Sequence, residues 1–167
     1  ESERVRICCR EDRMNELIEE AINELKRADH MIFVSLKYTR TCDVIKNIVE
    51  RLISCSHGVF DYLIDYLKDN RKIDEVPQAR AKKIEILKDM FKDNVEFQDY
   101  LTFYLLMRRI NKAEFTRRQE FRRHVTMSCI LDDGALIELN IDVIHEYFLK
   151  TKTFVDLAVS MTHPKEQ

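Results

Sequence analysis

Glycine and proline are scarce in this chain of 167 residues, and tryptophan is absent. The two glycines are Gly58 and Gly134, and the two prolines are Pro77 and Pro164. All-β and loop-rich folds need many turn residues with a positive or a fixed φ, and few are present here. Because leucine, isoleucine, glutamate and lysine are abundant instead, long helices joined by few turns are expected.

The same shortage of glycine excludes the common phosphate-binding loops. The two glycines lie far apart in the sequence, so no glycine-rich nucleotide-binding motif can be assembled. No Gly-x-Ser-x-Gly motif of a hydrolase nucleophile is present either. Nucleotide binding through a P-loop or a Rossmann turn is therefore excluded.

The cysteines and histidines form no ligand motif. The five cysteines are irregularly spaced and include no Cys-x-x-Cys pair, which argues against a disulfide framework or a zinc ribbon. None of the five histidines belongs to a His-Glu-x-x-His motif. We therefore expect no metal, no cofactor and reduced thiols. The cysteines are Cys8, Cys9, Cys42, Cys55 and Cys129.

Long apolar runs are also missing. No uncharged run approaches the ~20 residues that span a bilayer. The first residues, Glu-Ser-Glu-Arg, are unlike a secretory signal. We expect a cytoplasmic protein with no membrane partner.

Apolar residues recur at helical spacing over most of the chain. A helix is predicted from Arg13 to Leu36, a second from a cap at Thr41 to about Asn70, and a short third helix around residues 84–91. Asp93 or Asn94 could cap the fourth helix, and Asn140 the last one. The short segment Ser56-His57-Gly58 interrupts the apolar stripe of the second helix, and a bend in the helix is predicted there.

A β-hairpin is predicted before the last helix. The turn sequence Asp132-Asp133-Gly134 lies between the β-prone runs 125–131 and 135–139. The sequence thus predicts a mainly α fold, an up-and-down bundle of about five helices with a short β-hairpin before the last helix. A single domain over residues 1–167 is expected, with frayed ends at 1–11 and 162–167.

Charge is unevenly distributed. Residues 108–123 carry seven arginines and lysines against two glutamates, a net charge of +5, while the whole chain carries −2. The remainder of the chain therefore carries −7. A concentrated basic segment in an otherwise acidic chain indicates either a phosphate-binding surface or the solvated end of a helix.

His124 directly follows the basic segment, which contains two aromatic residues. An imidazole can move protons near neutral pH, and neighbouring guanidinium groups can hold a phosphate or stabilise charge that builds up on it. Phe115 and Phe121 could stack on unpaired bases. These are the groups needed to cleave RNA without a metal, with the ribose 2′-hydroxyl as nucleophile.

Arg118, five intervening residues and His124 form a pattern that resembles the Arg-x(4–6)-His motif of the HEPN superfamily. Arg117 with six intervening residues fits the motif as well. The segment from Glu19 to Asp29 resembles the leading helix of such proteins. As an architecture, the resemblance covers roughly residues 12–160.

The resemblance implies a metal-independent ribonuclease or an RNA-binding protein. It implies that Arg118 stabilises charge on the phosphate and that His124 acts as general base or acid. It also implies a homodimer, in which two such pairs share one cleft, and a protein partner such as an antitoxin. The residues expected to contact nucleic acid are Arg117, Arg122, Arg123 and Lys112.

Two other functions remain open. A non-catalytic interaction module could dimerise through the wide apolar stripe of residues 44–67 and the hairpin at 125–139. A helical bundle that binds a small molecule is the third hypothesis, and no polar cluster in the sequence supports it.

Overall fold

A computed structural model describes residues 2–163 of the chain, and it describes side chains from residue 11 onward. The first helix, α1, consists of three consecutive stretches: α-helical Ser2–His30, π-helical Met31–Ser35 and α-helical Leu36–Tyr38. The side chains of Cys8 and Cys9 lie outside the described part. The predicted fraying of residues 1–11 and 162–167 stays a prediction.

Four further helices and a small sheet complete the fold. They are α2 (Cys42–Asp69), α3 (Arg80–Met90), α4 (Val95–Lys112), β1 (Phe115–Arg118), β2 (Thr126–Ile130), β3 (Leu136–Leu139) and α5 (Ile141–Thr162). The predicted fold class, a mainly helical bundle with a β-hairpin before the last helix, is confirmed. Strand β1 is an addition that the sequence did not predict.

Side-chain caps begin three of the helices. The Thr41 hydroxyl accepts a hydrogen bond from the Val44 amide at 3.4 Å, as predicted for the start of α2. Asn94, rather than Asp93, caps α4, with 3.0 Å from its Oδ1 to the Phe97 nitrogen. The corresponding contact of Asn140 at the start of α5 measures 2.8 Å.

Helices α1 and α2 pack closely where Gly58 faces Ala21. A Cβ atom added at Gly58 would lie 3.0 Å from the Ala21 Cβ and 3.3 Å from its Cα. Helix α2 continues through residues 56–58, as expected for a helix that runs to about Asn70, and the predicted bend there stays a prediction. The glycine allows close approach of the two helices.

Helix α2 lies at the centre of the hydrophobic core, and the other four helices, α1, α3, α4 and α5, contact it. The wide apolar stripe predicted at residues 44–67 is accounted for by these four neighbours, because its side chains are buried within the chain. The fully buried members include Ile45, Ile48, Val49, Leu52, Leu63 and Ile64. Among the described residues, no helix is both long enough and apolar enough to cross a membrane.

The sheet is antiparallel, with strand order β1-β2-β3. The predicted hairpin is formed by β2 and β3, and Gly134 has a φ of +82° in its turn. The Leu131 amide donates to the Ala135 carbonyl at 2.9 Å across that turn. Met127 and Cys129 of β2 are buried, so one face of the sheet packs on the helices.

Candidate nucleic-acid interface

Strand β1 places two adjacent arginines of the basic segment, Arg117 and Arg118, on opposite faces of the sheet. In the β1–β2 register, Arg117 lies opposite the buried Met127, and Arg118 lies opposite Thr126. Successive side chains of a strand point to opposite faces. Arg117 therefore lies on the face that packs on the helices, and Arg118 lies on the outer face.

Arg117 binds the N-terminal end of α2. Its two terminal nitrogens donate to the two carboxylate oxygens of Asp43 at 2.8 and 2.9 Å, and Nη1 also donates to Glu120 at 3.1 Å. The guanidinium is the main reason that the pKa of Asp43 is lowered. Arg117 is therefore held in ion pairs within the protein and is not a free cation.

Glu120 completes the same network. Its carboxylate accepts the amide of Cys42, in the first turn of α2, at 3.0 Å. This hydrogen bond, followed by the one from Arg117, lowers the pKa of Glu120. An amide in the first turn of a helix has no partner within the helix, so Glu120 satisfies a group that would otherwise depend on water.

The segment between β1 and β2, residues 119–125, is called the β1–β2 loop. Gln119 and Phe121 have φ values of +52° and +63°, which non-glycine residues adopt at a cost of roughly 1–2 kcal/mol each. The Phe121 amide donates to the Arg40 carbonyl at 2.6 Å. At the far end of the loop, Val125 is completely buried. These contacts hold the loop in one conformation.

The loop projects its middle residues into solvent. Phe121 is 76% exposed, an unusually high value for a phenylalanine. The side chains of Arg122, Arg123 and His124 are exposed as well. In the part of the chain that the structure describes, none of these three side chains has an ion pair or hydrogen bond within the protein.

Arg118 forms an ion pair on the outer face of the sheet. Its Nη1 donates to the Glu138 carboxylate of β3 at 2.6 Å, and the two side chains are 55% and 49% exposed. Ser128 lies opposite Glu138 in the register, and its buried hydroxyl has no hydrogen-bond partner. The Arg118–Glu138 ion pair therefore spans the outer face of the sheet from β1 to β3.

The structure does not join Arg118 to His124. Arg118 belongs to a strand and is bound to Glu138, whereas His124 belongs to the loop and offers its carbonyl to the Thr126 hydroxyl at 2.9 Å. No hydrogen bond connects the two side chains among residues 11–163. Their predicted catalytic partnership stays a prediction.

The remaining cations of the basic segment differ in whether they have a partner within the protein. Arg109 pairs with Asp132 and Asp133 at 2.8 and 2.9 Å. Arg108 lies close to the hydroxyl of Tyr104 and interacts with it. Lys112, in the last turn of α4, is exposed. The free positive charge is therefore concentrated at Arg122, Arg123 and Lys112.

Sequence reasoning missed the carboxylates that neutralise the basic segment. Asp43 is 74 residues from Arg117, and Glu138 is 20 residues from Arg118. Because both contacts depend on the pairing of β1 with β2, no local pattern in the sequence could reveal them.

No family model matches the chain, and no curated protein or solved structure is significantly similar to it. The likeness to the HEPN superfamily therefore rests on the residues quoted above. Within residues 11–163, no group of three or more histidine, cysteine, aspartate or glutamate side chains is arranged to hold a metal ion.

Proposed function

We propose that the protein is a HEPN-like RNA-binding protein that holds single-stranded RNA on its β1–β2 loop. The observation that carries the proposal is the arrangement of Arg122 and Arg123 beside the exposed Phe121 on a loop of fixed conformation. Each of these residues offers a contact that single-stranded RNA uses.

Arg122 and Arg123 supply the contacts to phosphate. A guanidinium that has no carboxylate partner in the protein can bind a phosphate without breaking an ion pair. Each phosphate that is neutralised also releases counterions, which favours binding at low salt. Arg117, by contrast, is bound to Asp43 and Glu120, so it positions the loop and does not contact RNA.

Phe121 supplies a stacking surface. Stacking of a base on an aromatic side chain contributes about 1–3 kcal/mol and tolerates any base. The positive φ of Phe121 and the hydrogen bond of its amide to Arg40 fix the backbone that carries the ring. Little backbone entropy is then lost when a base stacks on the ring.

Binding is favoured over cleavage because of Arg118. Cleavage through the 2′-hydroxyl needs a guanidinium on the phosphate and an imidazole within reach of the hydroxyl. Arg118 would have to leave Glu138, at 2.6 Å, before it could serve in that way. His124 is exposed and free to approach RNA, so cleavage requires an exchange of partners that binding does not.

A second candidate function is self-association through the sheet. Ile130 and Leu136 lie directly opposite one another at the end of the hairpin and are 62% and 60% exposed. An apolar pair of this kind on an outer face favours contact with another protein surface. Light scattering of the wild type and of an Ile130→Thr/Leu136→Thr variant tests it, since a dimer built on this pair dissociates in the variant.

Fluorescence anisotropy with a labelled single-stranded RNA tests the primary proposal. The Arg122→Gln/Arg123→Gln variant is expected to bind about ten-fold more weakly than the wild type at moderate salt. The matched control is Lys26→Gln/Lys92→Gln, which removes the same charge from exposed positions elsewhere. If the two variants weaken RNA binding equally, the affinity depends only on the net charge of the protein, and the proposal is contradicted.

A parallel incubation with RNA in EDTA separates binding from cleavage. We expect the RNA to remain intact in the presence of the wild-type protein. If fragments appear and His124→Ala abolishes them, the Arg118 and His124 pair is catalytic and the preference for binding alone is wrong.

A further inference from the structure

Six polar side chains from three helices converge on one flank of α2. Each helix contributes two residues that are three or four positions apart, so that both lie on the same helix face. They are His57 and Asp61 of α2, Arg80 and Lys83 of α3, and Tyr104 and Arg108 of α4. We call this set the His57 cluster.

One carboxylate in the cluster serves two cations. Asp61 accepts hydrogen bonds from Arg80 Nη1 and from Lys83 Nζ, both at 2.8 Å. Arg80 Nη1 also donates to the carbonyl of His57 at 3.2 Å. These side chains are only 16–31% exposed, so solvent compensates their charge only in part.

The third cation has a neutral partner. The Arg108 guanidinium lies close to the hydroxyl of Tyr104 and interacts with it, and this hydroxyl lies 2.7 Å from His57 Nε2. Burial, together with the charges of Arg80 and Arg108, lowers the pKa of His57 to about 4. The imidazole is therefore neutral at pH 7, and its Nε2 shares a hydrogen bond with the tyrosine hydroxyl.

The cluster carries an uncompensated positive charge. Within the cluster, Arg80, Lys83 and Arg108 supply three positive charges against the single negative charge of Asp61, a net charge of +2. Asp65 of α2 also interacts with Lys83, but its carboxylate is paired with Arg13 at 3.0 Å. Partly buried charge of one sign costs free energy unless a counter-charge is present. A dianion would balance the cluster, whereas a monoanion would leave one charge over.

We propose that the His57 cluster is a binding site for a phosphate dianion, either inorganic phosphate or the terminal phosphate of a phosphomonoester. The guanidinium groups of Arg80 and Arg108 suit the oxygens of a phosphate, since each presents a planar fork of donors. Lys83 adds a point charge.

This site is separate from the proposed RNA surface. His57 is 15 residues beyond Cys42, the residue of α2 that binds the β1–β2 loop, and this places it about 22 Å further along the helix. The proposal therefore does not depend on RNA binding by the loop, and either one can fail alone.

The test is a titration of the full chain with inorganic phosphate, followed through the imidazole signals of His57 by NMR at constant ionic strength above neutral pH. Saturable shifts of these signals are expected, together with an increase in the pKa of His57, because a bound anion favours the imidazolium form. Dimethyl phosphate, a monoanionic diester, is expected to bind at least ten-fold more weakly.

Two neighbouring arginines provide a matched pair of variants. Arg108→Gln is expected to weaken phosphate binding about ten-fold, whereas Arg109→Gln, whose side chain pairs with Asp132 and Asp133, leaves it unchanged. Arg108→Gln leaves no carboxylate without a partner, so the fold is expected to persist.

Three results would overturn the proposal. The first is a linear, non-saturating response of the wild-type His57 signals. The second is equal phosphate affinity of the Arg108→Gln and Arg109→Gln variants. The third is dimethyl phosphate binding as tight as that of inorganic phosphate, which would assign the cluster to phosphodiesters such as an RNA backbone.

Discussion

Arg117 and Arg118 are adjacent in β1, and their guanidinium groups bind carboxylates on opposite faces of the sheet, Asp43 on one and Glu138 on the other. The two ion pairs have different consequences. The contact of Arg117 reaches the start of α2 and, through Glu120, the β1–β2 loop. The contact of Arg118 stays within the sheet.

Substitution of these two arginines should therefore have unequal effects on the loop. Arg117→Gln is expected to accelerate hydrogen exchange at the amides of Phe121 and Cys42, because it releases Glu120 and Asp43 from their shared cation. Arg118→Gln, the matched control, should leave both amides as protected as in the wild type. Equal acceleration in the two variants would contradict the proposed anchoring.

Gly58→Ala tests the close approach of α1 and α2. Alanine gains about 1 kcal/mol of helix propensity over glycine, but its Cβ would lie 3.0 Å from the Ala21 Cβ, which is attached rigidly to the backbone of α1. Because the two helices must separate, we expect a net loss of about 1 kcal/mol in the free energy of unfolding, measured with urea.

The double variant Ala21→Gly/Gly58→Ala provides the control for this prediction. Removal of the Ala21 Cβ takes away the atom that the new side chain meets. The cost of Gly58→Ala should therefore shrink in the Ala21→Gly background. An unchanged cost would mean that this contact does not set the distance between the helices.

The pKa of His57 predicts a dependence of stability on pH. Since the pKa is about 4 in the folded chain and 6.5 ordinarily, the unfolded chain takes up a proton between these values and the folded chain does not. The stability contributed by the neutral imidazole is complete above pH 6.5 and is lost as the pH falls towards 4. For a half-buried ring, screened by solvent, the loss is about 2 kcal/mol or less.

Urea unfolding of the wild type and of His57→Gln across this range checks the prediction. The difference between the two stability curves should narrow as the pH falls, because only the wild type loses the contribution of the imidazole. Curves that run parallel from pH 6.5 to pH 4 would contradict a depressed pKa at this position.

Tyr100 tests a chain of buried hydroxyl groups. Its hydroxyl lies 2.6 Å from that of Ser56 and donates to Thr151 at 3.2 Å. Ser56 and Thr151 each have a second hydrogen bond, to the carbonyls of Leu52 and Tyr147, so they are not left without partners in Tyr100→Phe. We expect a loss of about 1 kcal/mol in the free energy of unfolding.

The control for this substitution is Tyr38→Phe. Tyr38 is 79% exposed, so removal of its hydroxyl should change stability little. The Tyr100→Phe prediction fails if the two variants unfold at the same urea concentration.

The helices were predictable because apolar spacing of three and four residues reports directly on a buried helix face. The residues that fold into α2 illustrate this: the stripe from Ile45 to Leu63 is fully buried at nearly every predicted position. The turn at Asp133 and Gly134 likewise carries a local signal, since glycine supplies the positive φ.

Strand β1 and the polar clusters were not predictable in the same way. Phe115-Thr116-Arg117-Arg118 is a short strand with three exposed residues, so it has no apolar alternation. It forms because β2 provides hydrogen-bonding partners, which is a tertiary effect. The His57 cluster depends on the relative rotation of three helices, and periodicity within one helix does not determine that rotation.

The salt dependence of RNA affinity shows whether Arg122 and Arg123 contact phosphates. Each contact to a phosphate of a single strand adds about 0.7 to the slope of log affinity against log salt. The Arg122→Gln/Arg123→Gln variant should therefore show a slope smaller by about 1.4 than the wild type. An identical slope in the two proteins would contradict the assignment of RNA binding to the β1–β2 loop.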